Sequence, residues 1–88
     1  MEGLLGVRVV DFTSQIAGPY CTKLFADAGA DIIKVESTHG DPLRTWTASG
    51  KDLGGCDSPL FRFLNASKRS VVGELGDKAI GDLIAQAD

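Results

Sequence analysis

The stretch Val7 to Glu36, VRVVDFTSQIAGPYCTKLFADAGADIIKVE, constrains the fold more than any other part of the chain. It reads as strand, tight loop, helix and strand, one complete βαβ unit. Arg8 to Phe12 carries Val9 and Val10 and then meets polar residues, as a short parallel strand does where it ends in a loop. Gly18-Pro19 opens a helix, with glycine acceptable as N-cap and proline losing no hydrogen bond at the first helical position. Cys21, Leu24, Phe25 and Ala28 follow at helical spacing and predict one buried apolar stripe. Gly29 stands where a left-handed residue closes a helix. Ile32, Ile33 and Val35 form a second β-branched run, too short for a helix. A right-handed crossover makes the two strands parallel and puts the loop Thr13 to Pro19 at the carboxyl edge of the sheet, where open α/β folds bind ligands.

That loop lacks the G-x-G-x-x-G fingerprint, and no G-x-x-x-x-G-K-[ST] occurs in the chain. Gly3 and Gly6 precede the strand, on the wrong side for a phosphate. A plain dinucleotide site and a P-loop are both disfavoured.

The 88 residues suffice for one small domain. A net charge of −3 argues against nucleic acid as the partner, because there is no basic excess to neutralise phosphates. No apolar run approaches the roughly 20 residues of a membrane span. Met1-Glu2-Gly3-Leu4-Leu5 lacks the basic start and apolar core of a signal peptide, so a cytoplasmic location is the simplest expectation. Cys21 and Cys56 form no C-x-x-C pair and have no ligand cluster around them; no metal site is expected. Cys21 reads as a small core hydrophobe on the helix stripe.

Asp27 and Asp31 flank the helix end and read as solvated. Lys34 and Glu36 alternate with Ile33 and Val35 as the polar face of a strand tip. Ser37 to Ser58 is the longest region without periodicity, and a loop of this length is usually functional or belongs to an interface. Gly40-Asp41-Pro42 is turn chemistry that forces extended or turn geometry before the proline, and Trp46 reads as an anchor. His39, the only histidine, reads as an exposed loop residue. Ser58 and Pro59 predict an N-cap and first position for a short helix over Pro59 to Asn65. Asn65 to Ser70 is a basic turn into a third strand at Val71 and Val72. There Lys68 and Arg69 are either a solvated pair or a cationic cradle for phosphate or carboxylate. Gly73-Glu74-Leu75-Gly76 ends that strand, and Asp77 caps a last helix with Ile80, Leu83, Ile84 and Ala87 on its buried face. Another strand would come next in a repeating βαβα pattern.

Taken together, LLGVRVVDFTSQIAGPYCTKLFADAGADIIKVE, then GDPLR, then NASKRS, resembles the N-terminal portion of the class III CoA-transferases, the CaiB/BaiF family. The family features are a leucine-glycine lead, a strand ending in Asp, an Ala-Gly-Pro helix start and a Gly-Ala-Asp helix end. A strand ending in Lys-Val-Glu, a Gly-Asp…Arg loop and an Asn-x-x-Lys-Arg-Ser turn follow. The likeness runs in order over essentially all 88 residues. It implies a Rossmann-like α/β fold, a parallel sheet with flanking helices forming the first part of a larger enzyme.

The resemblance also implies an activity. Family members move coenzyme A between carboxylic acids. A catalytic aspartate attacks the acyl-CoA thioester, and an aspartyl-CoA intermediate follows. That aspartate lies downstream of these residues, so no catalytic residue is assigned here; Asp11 matches a structural acid at a strand end. Acyl-CoA and a carboxylic acid are the implied partners, with CoA as substrate and no covalently held cofactor. Interlocked homodimers, or association with a longer chain, are implied for the assembly.

Carried over residue by residue, Gln15, Ile16, Ala17 and Gly18 match the family loop near the thioester and pantetheine. Lys68 and Arg69 keep the family's basic turn. Gly73, Glu74 and Leu75 match the stretch along the CoA adenine. Relatives often carry glutamine where Ile16 stands, arginine where Ser37 stands and a basic residue where Gly76 stands, so the phosphate side of the site is weakened.

Three other readings compete: an acyl-CoA racemase or isomerase of the same superfamily, a short non-catalytic module that joins a longer chain, and a different Rossmann-type nucleotide domain. The DFTSQIAGPY loop leans toward the transferases, and the missing glycine fingerprint disfavours the last. A half-sheet of this size with an open edge predicts self-association or poor stability.

Overall fold

The computed structural model describes residues 3–47, 49–50 and 53–88. Met1 and Glu2 of the lead-in, and Ala48, Lys51 and Asp52 of the long loop, lie outside the described residues. Three parallel strands, β1 (Arg8–Asp11), β2 (Asp31–Glu36) and β3 (Arg69–Val72), lie in the order β1-β2-β3. Between them run helix α1 (Ala17–Asp27), a 3₁₀ turn (Pro42–Thr45) and helix α2 (Pro59–Leu64), and helix α3 (Lys78–Ala85) follows β3. This is the α/β architecture, a parallel sheet with flanking helices, that the βαβ pattern dictates.

β2 is the centre of the fold. It pairs on both sides, Val10 with Ile33 and Val35 with Val71 among others, and all but its first residue are buried. The ladder to β3 runs one step past the strand, where the Gly73 N–H donates to the Glu36 carbonyl at 2.9 Å. Leu43, Phe61 and Leu64, with Leu60 against them, form an apolar cluster where α2 meets the 3₁₀ turn.

α1 starts one residue before Gly18-Pro19. Its N-cap is Ile16, which makes no side-chain cap, and Pro19 stands in the first turn, where its missing N–H is still harmless. Gly18 is there because of a close approach: a β-carbon on it would come within 2.3–2.6 Å of the Thr13 side chain. Gly29 has φ +100° and closes the helix as expected.

The α1 stripe does not point where the spacing predicts. Pro19 and Thr22 are the residues α1 buries, while Cys21, Leu24 and Phe25 are exposed. The helix meets the sheet through small groups in its first turns, and the larger apolar side chains face away from it. Similarly, α3 buries Ile80, but Leu83 is half-buried and Ile84 exposed. Ile80 lies so close to the backbone at Gly73 that a β-carbon there would stand 2.7 Å from it.

The third helix brings the chain back to β1. The Asp88 N–H donates to the Arg8 carbonyl at 3.0 Å, and the Asp88 carboxylate accepts from the Arg8 N–H at 2.7 Å. After α3 the chain thus lies beside β1, not beyond β3.

Candidate functional site

The carboxyl ends of β1 and β2 carry a cleft of about 330 Å³ between the segment Phe12-Thr13-Ser14 and the segment Ser37 to Pro42. Beside it lies an apolar groove of about 200 Å³ formed by Gln15, Ile16, Pro42, Leu43 and Trp46. Trp46 is half exposed and walls this groove; the loop is anchored by Leu43 and Arg44 instead.

Beneath these hollows the charged side chains of β1, β2 and the loops are buried and paired. The strand tip that reads as a solvated polar face is in fact covered: Lys34 and Glu36 are 1 % and 6 % exposed. The loops that follow β1 and β2 fold over them and supply partners. Lys34 Nζ donates to the Thr13 carbonyl at 2.9 Å and pairs with Asp41 Oδ2 at 3.0 Å. Asp41 is extended before Pro42, as the Gly-Asp-Pro pattern predicts, and accepts from the Leu43 N–H to cap the 3₁₀ turn.

Glu36 takes both Arg44 Nε and Nη2, and the same guanidinium bridges to Asp57. The guanidinium also stacks on the Phe61 ring, 4.1 Å from its centroid. These bonds from Arg44, outweighing the cost of burial and aided by the Asp41 N–H, hold the Glu36 carboxyl down at about 2. One arginine thus ties the two ends of the long loop to the tip of β2.

At the end of β1, Asp11 accepts from the Thr13 N–H at 2.8 Å, from the Thr13 hydroxyl, and from the Thr22 hydroxyl at 2.7 Å. Burial raises its carboxyl, but these bonds and the charge of Lys68 prevail and leave it below its ordinary value.

The residues singled out in the sequence fall into three places. Gln15, Ile16, Ala17 and Gly18 lie together at the carboxyl edge, at the mouth of the groove and the start of α1. Gln15 has φ +68°, a left-handed conformation unusual for a side-chain-bearing residue. Gly73, Glu74 and Leu75 lie at the same edge beyond β3, about two strand spacings, or roughly 10 Å, from the first group. Leu75 is 70 % exposed, and the Glu74 N–H is held by Asp77 Oδ2 at 2.9 Å.

Lys68 and Arg69 part company. The Lys68 ammonium turns inward, its side chain 1 % exposed. It reaches Asn65 Oδ1 at 2.8 Å, the Pro19 carbonyl at 3.1 Å and Asp11 at 3.4 Å. Burial pushes its pKa down despite Asp11. Arg69 turns toward the amino end of the sheet and pairs with Asp31, which Arg8 also holds. Asp31, read as solvated, is therefore clamped between two arginines. His39 is exposed, as expected.

Ser14 lines the cleft within the loop expected to bind ligand, Phe12 and Asp41 line it without having been expected to, and Lys34 and Glu36 lie beneath it, not at the surface. The signal for Asp41 was present in its place before Pro42. Nothing in the sequence said that the strand-tip charges would be roofed. No described helix is long and apolar enough to cross a membrane.

Comparison with known proteins bears on this edge and on the whole chain. The model of CoA-transferase family III matches residues 4–88. The chain is 38 % identical over 88 residues to cinnamoyl-CoA:phenyllactate CoA-transferase of Clostridium sporogenes, covering 94 % of this chain and 21 % of that one. It is 38 % identical over 91 residues to formyl-CoA:oxalate CoA-transferase of Streptomyces coelicolor, covering 99 % of this chain and 22 % of that one. The crystal structure of a CAIB/BAIF family protein from Brucella suis superposes with a TM-score of 0.79 at 33 % identity, over 98 % of this chain and 24 % of that chain. The chain thus spans between a fifth and a quarter of the length of these relatives, and aligns with them nearly end to end. A matching family model, curated relatives and a solved fold agree: the chain belongs to CoA-transferase family III.

Proposed function

We propose that these residues form the CoA-contacting first part of an enzyme that moves coenzyme A between carboxylic acids. The observation that carries the reading is the carboxyl-edge cleft, built from the very loops, 12–18 and 37–46, that fall within the family match. Gln15 to Gly18 line the thioester and pantetheine end, and Gly73 to Leu75 run along the nucleotide. Their placement on one sheet edge, separated across the tip of β2, suits an elongated ligand.

The chemistry needs a nucleophilic carboxylate beyond these residues. It attacks the acyl carbon of the thioester, the C–S bond breaks, and CoA leaves as thiolate with an acyl-aspartyl anhydride left behind. The thiolate then displaces the donor acid and gives an aspartyl-CoA thioester; the acceptor carboxylate attacks it, releasing the thiolate and forming a second anhydride, and the thiolate attacks the acceptor's acyl carbon to give the new acyl-CoA and free the aspartate. Neither Asp11 nor Asp41 takes that role, because each is buried and committed to a lysine and to backbone N–H groups.

The contribution of this part is shape more than charge. Lys34, Arg44 and Lys68 are all paired with carboxylates, so among the described residues these cations near the edge are committed. Ser37 and Gly76 add none. Phosphate contacts then come chiefly from elsewhere in the enzyme. We assign Lys68 a supporting role under the first turn of α1 and Arg69 a structural one. A cytoplasmic, dimeric enzyme fits this reading. The exposed Tyr20, Leu24 and Phe63 favour association with further protein, either a second copy or a longer chain.

Native mass spectrometry with and without acetyl-CoA tests the proposal. A complex carrying CoA, lost on replacing Gly18 by a bulky residue such as G18V, is the expected result. Binding that is indifferent to changes in residues 15–18 and 73–75 would remove the assignment of the site.

A further inference from the structure

Gln15 stands in a left-handed conformation that no glycine relieves, with φ +68°. Such backbone persists only where the surroundings over-determine it. The surroundings here are one buried ion pair. The Gln15 N–H donates to both oxygens of Asp41, at 3.0 and 3.2 Å, across 26 residues of sequence. Lys34 Nζ, beneath, bonds Asp41 Oδ2 at 3.0 Å and the Thr13 carbonyl at 2.9 Å. The pair therefore grips the carbonyl on one side of Ser14 and the N–H on the other. Both side chains are 1 % exposed.

Asp41 is itself fixed: its N–H donates to Glu36 Oε2 at 2.8 Å, and its carboxylate also accepts from the Leu43 N–H. A buried pair of this kind gives little net stability over apolar residues of the same volume, so its use here is geometric. Its effect falls on the wall between the two hollows, since Ser14 lines the cleft and Gln15 the groove.

We propose that Asp41, supported by Lys34, is a positioning residue that holds Gln15 in its left-handed conformation and so shapes the loop 13–16 that meets acyl-CoA. The part concerning acyl-CoA rests on the functional reading above; the positioning itself does not.

Two measurements separate these. The first is amide hydrogen exchange at Gln15, read by NMR. In D41A the Gln15 amide should exchange at least about tenfold faster, while the β2 amides keep their rates. Because D41A strands Lys34, the double variant K34M/D41A removes both charges together and should show the same loss. The second is the Kd for acetyl-CoA in a double-mutant cycle. D41A should weaken binding about tenfold in the parent, but less than about twofold in the Q15G background, where glycine adopts the conformation unaided. An unchanged Gln15 amide in folded K34M/D41A would overturn the positioning. A D41A effect of equal size with and without Q15G would reduce Asp41 to general structural support. Acetyl-CoA binding that fails in the parent would strike the functional reading alone, and the Gln15 amide would still decide the positioning.

Discussion

At the amino end of the sheet Asp31 lies between Arg8 and Arg69; at the carboxyl end Asp11, Glu36 and Asp41 meet Lys68, Arg44 and Lys34. Both ends of the one sheet pair carboxylates with basic side chains. The Arg69 side chain is 61 % exposed, whereas those of Lys34, Lys68, Asp11 and Asp41 are essentially covered. Water screens the first cluster and lets its members move. In the second cluster Arg44 alone keeps partial exposure, and the buried charges must each keep a partner and hydrogen bonds. The consequence is that the amino end is held by the β ladder, and the carboxyl end, where the ligand edge lies, is held by ions. Loops there have no regular backbone pairing of their own, and buried charges aimed at backbone carbonyls and N–H groups take its place.

Breaking the covered cluster should therefore cost most. Lys68→Met leaves Asp11 charged and short of its cation under α1, and a loss of about 3–5 kcal/mol is expected in urea unfolding. That is a large share of what a domain of this size has in total. A loss below about 1 kcal/mol would mean the two ends of the sheet do not differ.

The acid limb of the stability profile comes next. The Glu36 carboxyl titrates at about 2 in the folded chain against 4.5 ordinarily. Its contribution, on the order of 3 kcal/mol, is present above about pH 4.5 and disappears as the pH falls toward about 2. The depressed Asp11 acts in the same direction. The unfolding midpoint should fall steeply over that interval, and E36Q should flatten the fall while lowering stability at neutral pH. A parent and an E36Q variant with parallel pH profiles would show that Arg44 does not hold Glu36 in solution.

Gly18→Ala tests the close approach that lets the loop reach Asp11. Its β-carbon must displace Thr13, for which about 1–3 kcal/mol is expected in thermal or urea unfolding, against a small gain in helix propensity. A neutral or stabilising result would mean Thr13 moves aside freely. The smallest effect belongs to the open end: Arg69→Ala should cost no more than about 1 kcal/mol and vanish in high salt. An Arg69 effect as large as that of Lys68 would erase the contrast.

Much of this was legible in the chain. The strand, loop, helix, strand order of Val7 to Glu36, the closing Gly29, the Ser58-Pro59 helix start and the extended Asp41 all follow from local rules, because each depends on backbone geometry a few residues wide. Ser58 caps as expected, its hydroxyl accepting from the Phe61 N–H. The loop at the carboxyl edge follows from chain direction, since it leaves the end of a strand in a parallel sheet.

What local rules missed were facings. Cys21, Leu24 and Phe25 have the spacing of a buried stripe, yet α1 seats on the sheet through Pro19 and Thr22. Lys34 and Glu36 have the alternation of a solvated face, yet the loops cover them. Lys68 and Arg69 are neighbours in sequence and adjacent in composition, yet one is buried under α1 and the other reaches the opposite end of the sheet.

The sequence by itself determined the elements, their order and their family, since periodicity, turn chemistry and short motifs are properties of neighbouring residues. Tertiary structure alone decided which charges are buried and which hold the ligand loop. Burial depends on what comes to lie above a residue, and here much of the cover arrives from segments distant in sequence: Thr13 over Lys34, Pro19 over Lys68.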